Sequence, residues 1–147
     1  MFSQTVEYAL RAAAHLAAQH PSPRTADQIA QATQVPRYYL SKILRNLVRA
    51  GVLRSQRGIG GGLSLAKSTE QLTILEIVNG VEPIRRIRSC PLGLVAHKAQ
   101  LCPLHSRLDE AMEMVENALR TTTLAQLLEV PRKQKQCHFP RVRVSAG

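Results

Sequence analysis

Residues 25–66 read TADQIAQATQVPRYYLSKILRNLVRAGVLRSQRGIGGGLSLA. The stretch divides into two short helices, a tight connection and a glycine-tipped hairpin. Thr25 and Gln28 have the spacing of a capping box, in which a hydroxyl and an amide satisfy free backbone N–H groups at a helix start. Ala26, Ile29 and Ala30 give that helix a small apolar face, which a second helix can cross closely. The turn falls near Ala32 to Val35. Pro36 suits a first helical position, where its missing N–H costs nothing. Leu40, Ile43, Leu44, Leu47 and Val48 then recur at three and four residues, the buried stripe of a helix from about Pro36 to Ala50. Gly51 ends it as a left-handed cap. Val52–Gln56 and Leu63–Ala66 read as paired strands. Helix, turn, helix and hairpin in this order make a winged helix-turn-helix, which sets one helix in a DNA major groove.

The other side of the second helix carries Arg37, Tyr38, Ser41, Lys42, Arg45 and Arg49, with no acidic residue among them. Most charged helix faces are merely solvated, but those usually mix signs. A face that is solely cationic and hydrogen-bonding is the electrostatic footprint of phosphate binding. Base reading falls to its N-terminal part, Arg37, Tyr38, Ser41 and Lys42, with Arg45 further along the same face. Tyr39 leans towards the apolar stripe and is either a DNA contact or core. Between the strands lies Arg57-Gly58-Ile59-Gly60-Gly61-Gly62. Such glycines can cradle phosphate, but this run lacks the Gly-Lys-Ser/Thr ending of a P-loop and opens no helix after a strand. A hairpin tip is the simpler reading. There Arg57, with Gly60 beside it, reaches a narrow minor groove whose negative potential attracts guanidinium.

The whole composition agrees with a polyanionic partner. The chain has 147 residues and a formal charge of +10, with a pI of about 10.4. Its length predicts one modest core, and its charge points to nucleic acid. Aromatic residues are only 3%, too few for the stacking platforms of single-strand binders. The first residues are amphipathic, unlike a secretory signal, and no stretch approaches the roughly 20 apolar residues of a membrane span. The expectation is a cytoplasmic protein without membrane contact. Its three cysteines are then expected to bind metal or act in redox chemistry rather than form disulfides. An enzyme is not expected, because no nucleophile–base–orienter set can be placed in one cleft.

Outside the winged segment, residues 3–20 predict an Ala-rich helix with Val6, Leu10, Ala13, Ala14 and Ala17 as its core face. Glu7 and Arg11 are spaced as a surface pair, and His15 reads as a surface or interface residue. Residues 68–82 predict a connection and a helix, with Leu72, Ile74, Ile77 and Val78 apolar and Gly80 as its stop. Arg85, Arg86 and Arg88 follow in a basic loop that neutralises phosphates, balances an anionic centre or simply aids solubility. Residues 90–105, CPLGLVAHKAQLCPLH, place Cys102 before Pro103 at a helix start, where the dipole favours thiolate. His105 falls on the first turn of that helix, close to Cys102. Inert core cysteines are the competing reading. From Pro103 to about Arg120, Leu104, Leu108, Met112, Val115 and Leu119 form a stripe with little of its own chain to cover it. A two-fold partner is the economical cover, and packing within one chain is the alternative. A short helix over 123–128 and a basic tail over 131–147 complete the chain, with Cys137-His138 a weak ligand candidate.

Together these residues resemble the Rrf-type, IscR/NsrR-like family of dimeric winged-helix regulators. The carriers are VEYALRAAAHLA near the N-terminus, YYLSKILRNLVRAGVL, the wing RGIGGGLSLAK, ILEIVNGVEP and the late TTLAQLLE. The match spans about residues 1 to 130. The resemblance implies a homodimer that senses iron, nitric oxide or redox state through an iron–sulfur cluster at its interface. The usual ligands are three cysteines separated by five residues. Here the outer positions are Cys90 and Cys102, and the middle one is Ala96, which cannot ligate. His105 matches a position that some members use, and Glu7 a first-helix acid that some extend across the dimer. Cys90, Cys102, His105 and Glu7 would then hold a mixed-ligand two-iron cluster, more in keeping with this set than a four-iron one. His97 is a substitute candidate.

The expected fold is therefore mainly α: a winged helix-turn-helix with a two-stranded wing and a long C-terminal dimerisation helix. The expected divisions are a DNA-binding domain over 1–82, a cysteine-containing sensor loop over 83–102, dimerisation and final helices over 103–130, and the tail over 131–147. The expected function is sequence-specific repression at a near-palindromic double-stranded operator. Three alternatives stay open: a thiol switch at Cys90 and Cys102, a zinc site from Cys90, His97, Cys102 and His105, and a non-specific architectural protein held to DNA by charge.

Overall fold

The computed structural model describes residues 2–93 and 100–129. The readings of Ala96, His97, Cys137, His138 and the tail lie outside the described residues. Helix α1 (Gln4–Gln19) starts at Ser3, whose hydroxyl accepts from the Val6 N–H. Ala9, Ala12 and Ala13 are fully buried. Such small side chains let α1 lie against helix α2 (Ala26–Thr33), helix α3 (Arg37–Arg49) and helix α4 (Ile74–Val81). The Glu7–Arg11 ion pair does not form; Arg11 lies over the Tyr8 ring instead, 5.8 Å from its centroid. His15 is not on the surface but buried, and its Nε2 has no partner among the described residues. Burial first, and then the Arg24 cation, push its pKa below the ordinary value.

The α2–α3 unit follows the expectation closely. Both halves of the Thr25–Gln28 capping box are present, and the turn passes through Gln34 in the left-handed region, φ +56°. Pro36 is the N-cap of α3 rather than its first helical residue. Its ψ of 130° is extended, and its carbonyl accepts from Leu40. At the far end the Gly51 N–H donates to Val48 and the Val52 N–H to Leu47, the bond pattern of a Schellman cap. Leu40, Ile43, Leu44 and Leu47 join Ile29, Val35 and Val52 in one core.

Strands β1 (Leu53–Gln56) and β2 (Gly62–Leu65) pair antiparallel, with Leu53 opposite Leu65 and Gln56 opposite Gly62. A further rung comes from outside the hairpin. The Arg24 N–H donates to Leu63 at 2.9 Å and the Leu63 N–H to Arg24 at 2.7 Å. A Cβ at Gly62 would lie 2.6 Å from the Arg24 carbonyl oxygen, so this rung excludes a side chain there.

Helix α4 runs through Gly80, which is not the stop that its position suggests; Glu82 is the C-cap. A Cβ on Gly80 would meet Ala50 and Leu47, each at 3.2 Å, so the glycine marks the close approach of α4 to α3. Helix α5 (Pro103–Thr121) contributes no buried residue to the described structure, and Leu104 and Met114 are largely exposed. Helix α6 (Leu124–Leu128) returns to the core through Leu124, with its N–H on Leu72 and the Ile74 N–H on Thr122.

The segment after α4 is fastened to α5 by one arginine. Arg86 donates twice to the Asp109 carboxylate, both at 2.7 Å, and reaches Glu113 at 3.3 Å. The Ile87 N–H also donates to Asp109, at 2.8 Å. The hydrogen bonds from Arg86 hold the Asp109 pKa down to about 2 against its partial desolvation.

Candidate nucleic-acid interface and metal ligands

Helix α3 turns its apolar stripe inward, and this fixes where its other residues point. Tyr38, Lys42, Arg45 and Arg49 face solvent. Among the described residues Lys42, Arg45, Arg49 and Arg57 have no acidic partner within ion-pair distance. Tyr39 is not core: it is 60% exposed and meets the Tyr38 ring edge-on, centroids 5.7 Å apart. Arg37 and Ser41 are less available. The Arg37 guanidinium donates to Asp27 on α2 at 2.6 Å and to the Ser41 hydroxyl, which in turn donates to the Arg37 carbonyl. The acid missing from α3 itself is thus supplied by the neighbouring helix.

The ridge of Ser41, Arg45 and Arg49 stands between two grooves. One, of about 550 Å³, separates it from the start of α2 and the wing at Ser55 and Leu63. The other, of about 810 Å³, separates it from Gln4, Thr5 and Tyr8 of α1 and from Glu82. Sequence reasoning gave none of these last four a place beside α3. The polar i, i+4 pair of Gln4 and Tyr8 was the available signal. The Ser3 hydroxyl donates to Glu82 and so ties the start of α1 to the end of α4. Arg57 and Gly60 lie together at the exposed wing tip, where Ile59 is fully exposed.

The ligand candidates are brought together only in part. Cys102 is the N-cap of α5, and its Sγ lies 3.2 Å from His105 Nδ1. This is the pairing expected from their spacing, and a cysteine sulfur and an imidazole nitrogen are suitable donors for iron or zinc. Cys90 is half-buried, and Cys102 forms no disulfide among the described residues. Glu7 is exposed on the first turn of α1. Among the described residues no three Cys, His, Asp or Glu side chains converge as a metal site. The described part of one chain therefore offers a two-donor half-site, short of the four donors a two-iron cluster takes.

Comparison with known proteins agrees with this architecture. The profile of the family described as "Rrf2: Iron-dependent Transcriptional regulator" matches residues 2–130. An HTH-type transcriptional regulator of Aquifex aeolicus is 30% identical over 138 residues, covering 90% of this chain and 94% of that one. The HTH-type transcriptional regulator NsrR of Geobacillus kaustophilus is 33% identical over 129 residues, 84% and 86% of the two chains. Among solved structures, CymR, the global cysteine regulator of B. subtilis, superposes with a TM-score of 0.69 at 26% identity. That match covers 86% of this chain and 95% of CymR. These relatives are transcriptional regulators rather than enzymes, and among the described residues no helix is long and apolar enough to cross a membrane. A winged helix-turn-helix bearing an open cationic ridge, matched along nearly all of its described length, places this chain in the Rrf2 family of DNA-binding transcriptional regulators.

Proposed function

We propose that the protein is a homodimeric, sequence-specific repressor that works in the cytoplasm. Each subunit seats α3 in a major groove and lays its wing over the adjacent minor groove. The observation that carries this reading is the α3 ridge, where Lys42, Arg45 and Arg49 stand exposed beside a wing that offers Arg57. Tyr38, Tyr39, Ser41 and Lys42 supply the hydrogen bonds and ring faces that read base edges, with Arg37 joining once it leaves Asp27. Arg45, Arg57 and the Gly60 backbone hold the phosphates. Repression is the simplest output, since occupancy of a promoter excludes polymerase without a further activity. Two-fold pairing through α5 requires a near-palindromic operator with half-sites one or more helical turns apart. Selection from random duplexes tests this: the expected winner is an inverted repeat, and a pool with no enriched sequence would leave only charge-driven architectural binding.

We further propose an iron–sulfur centre at the dimer interface as the sensor. Cys102 and His105 are its best-placed donors, with Cys90 of the same chain and Glu7 contributed across the interface by the second copy completing a two-iron set. When bound, such a group supplies chemistry sensitive to redox state, iron supply or nitric oxide. The 83–102 segment is the sensor loop, and its Arg86 tether to α5 is the path by which the loop and the dimer helix move together. Anaerobically isolated protein should be coloured, with iron and sulfide in equal amounts. Cys102→Ala should be colourless yet still a folded dimer. A colourless wild-type protein would refute the cluster, and metal analysis would then separate zinc from bare thiols.

A further inference from the structure

The grooves on the two sides of the α3 ridge differ in their outer walls. A helix lying in a major groove has a sugar-phosphate strand on each side of it. The smaller groove, beside α2 and the wing, is where one strand is ordinarily expected from the helix-turn-helix layout. The larger one, about 810 Å³, is bounded by Thr5 and Tyr8 of α1 on one wall and by Lys42, Arg45 and Arg49 on the other.

We infer that the α1–α3 groove seats the second sugar-phosphate strand of the duplex, making Thr5 and Tyr8 positioning residues for DNA binding. This rests on the reading of α3 as the recognition helix. Three observations support it. The inner wall presents three cations with no acidic partner among the described residues, so the groove attracts an anion. The outer wall presents two hydroxyls, and neither Thr5 nor Tyr8 has a side-chain hydrogen bond among the described residues. The Tyr8 body is half-buried against the core, so its position is fixed before DNA arrives and little rotamer entropy is lost on contact. The Thr5 and Tyr8 hydroxyls donate to phosphate oxygens. Such bonds fix the register of the protein on the duplex and carry no sequence information. Glu82, in the same groove, opposes the strand by charge and sets an upper limit on affinity.

The test compares Tyr8→Phe, Thr5→Ala, Glu82→Gln and Arg45→Ala in the full-length chain. The probes are a selected operator and a random-sequence duplex, titrated over a range of salt concentrations. Tyr8→Phe and Thr5→Ala should each weaken both duplexes by about three- to tenfold, leaving the specificity ratio, the salt slope and the thermal midpoint unchanged. Glu82→Gln, which keeps an acceptor for Ser3, should tighten both duplexes. Arg45→Ala should reduce the magnitude of the salt slope by about 1. Loss of affinity in Arg45→Ala with full affinity in both hydroxyl variants would overturn the second-strand groove and leave the recognition helix standing. Full affinity in Arg45→Ala as well would overturn both.

Discussion

Arg37 and Lys42 lie on the same helix, yet their surroundings differ. Lys42 is exposed and without an acidic partner among the described residues, whereas Arg37 donates to Asp27 at 2.6 Å. An exposed pair of this kind is worth about 0–1 kcal/mol, so on the proposed reading it is a bond weak enough for DNA to open. Asp27→Asn should therefore raise operator affinity, by up to about fivefold, as a direct titration of labelled duplex would show. Equal or weaker binding would mean that Asp27 positions Arg37 instead of restraining it. The cationic face itself was legible, because a 3.6-residue period sorts buried from exposed positions on one helix. Asp27 was not, because its approach depends on how two helices cross. His15 was hidden for the same reason. Its imidazole is buried near Arg24, and its pKa is held below 6.5. As pH falls, the unfolded chain takes up this proton before the folded chain does. Its contribution to stability is complete above pH 6.5 and is lost on acidification towards the lower folded value. Urea unfolding midpoints should fall between pH 7 and pH 5, and His15→Gln should flatten that fall. Parallel profiles would exclude His15 as its source.

At the scale of elements, capping is a local code, and the Thr25–Gln28 box was legible for that reason. Thr73 and Thr123 carry the same code, a threonine with Glu or Gln three residues on, but were not read as helix starts, and Pro36 was placed one position too far into its helix. Gly80 was misread because a glycine at a helix end and a glycine at a helix crossing look alike in one dimension. Here a Cβ would press on Leu47 and Ala50 at 3.2 Å. Gly80→Ala should cost about 1–3 kcal/mol by overpacking, outweighing the better helix propensity of alanine. Unfolding in urea would measure it, and a stabilised variant would show that α4 can back away from α3. The basic loop gave a mixed result. Arg85, Arg86 and Arg88 look equivalent in sequence, but only the fold reveals that Arg86 is engaged by Asp109, Glu113 and Glu116 of α5. The three acids lie at i, i+4 and i+7 of one helix face, a pattern that becomes informative only once a partner cation is known.

At the scale of the whole molecule, α5 is the element with the least cover. It is 19 residues long and none of them is buried. Leu104 and Leu108, one turn apart and both exposed, leave an apolar surface that a second copy can cover. Leu108→Glu should therefore shift sedimentation from dimer to monomer and weaken operator binding far more than binding of a half-site. A wild-type monomer would remove the two-fold reading. The proposed ligand set was less legible than the fold because it is not local: Cys102 and His105 meet within one turn, while the proposal draws its other donors from residues remote in sequence and from a second copy. The central claim is simpler than the sensor, namely that the exposed cations of α3 hold and read double-stranded DNA. The most direct measurement is the ratio of operator to random-duplex affinity at one stated salt concentration, for wild type and for Lys42→Ala/Arg45→Ala. A wild-type ratio of about 10³ or more, collapsing in the double variant while its thermal midpoint holds, is the predicted result. An unchanged ratio and affinity in the double variant would contradict it.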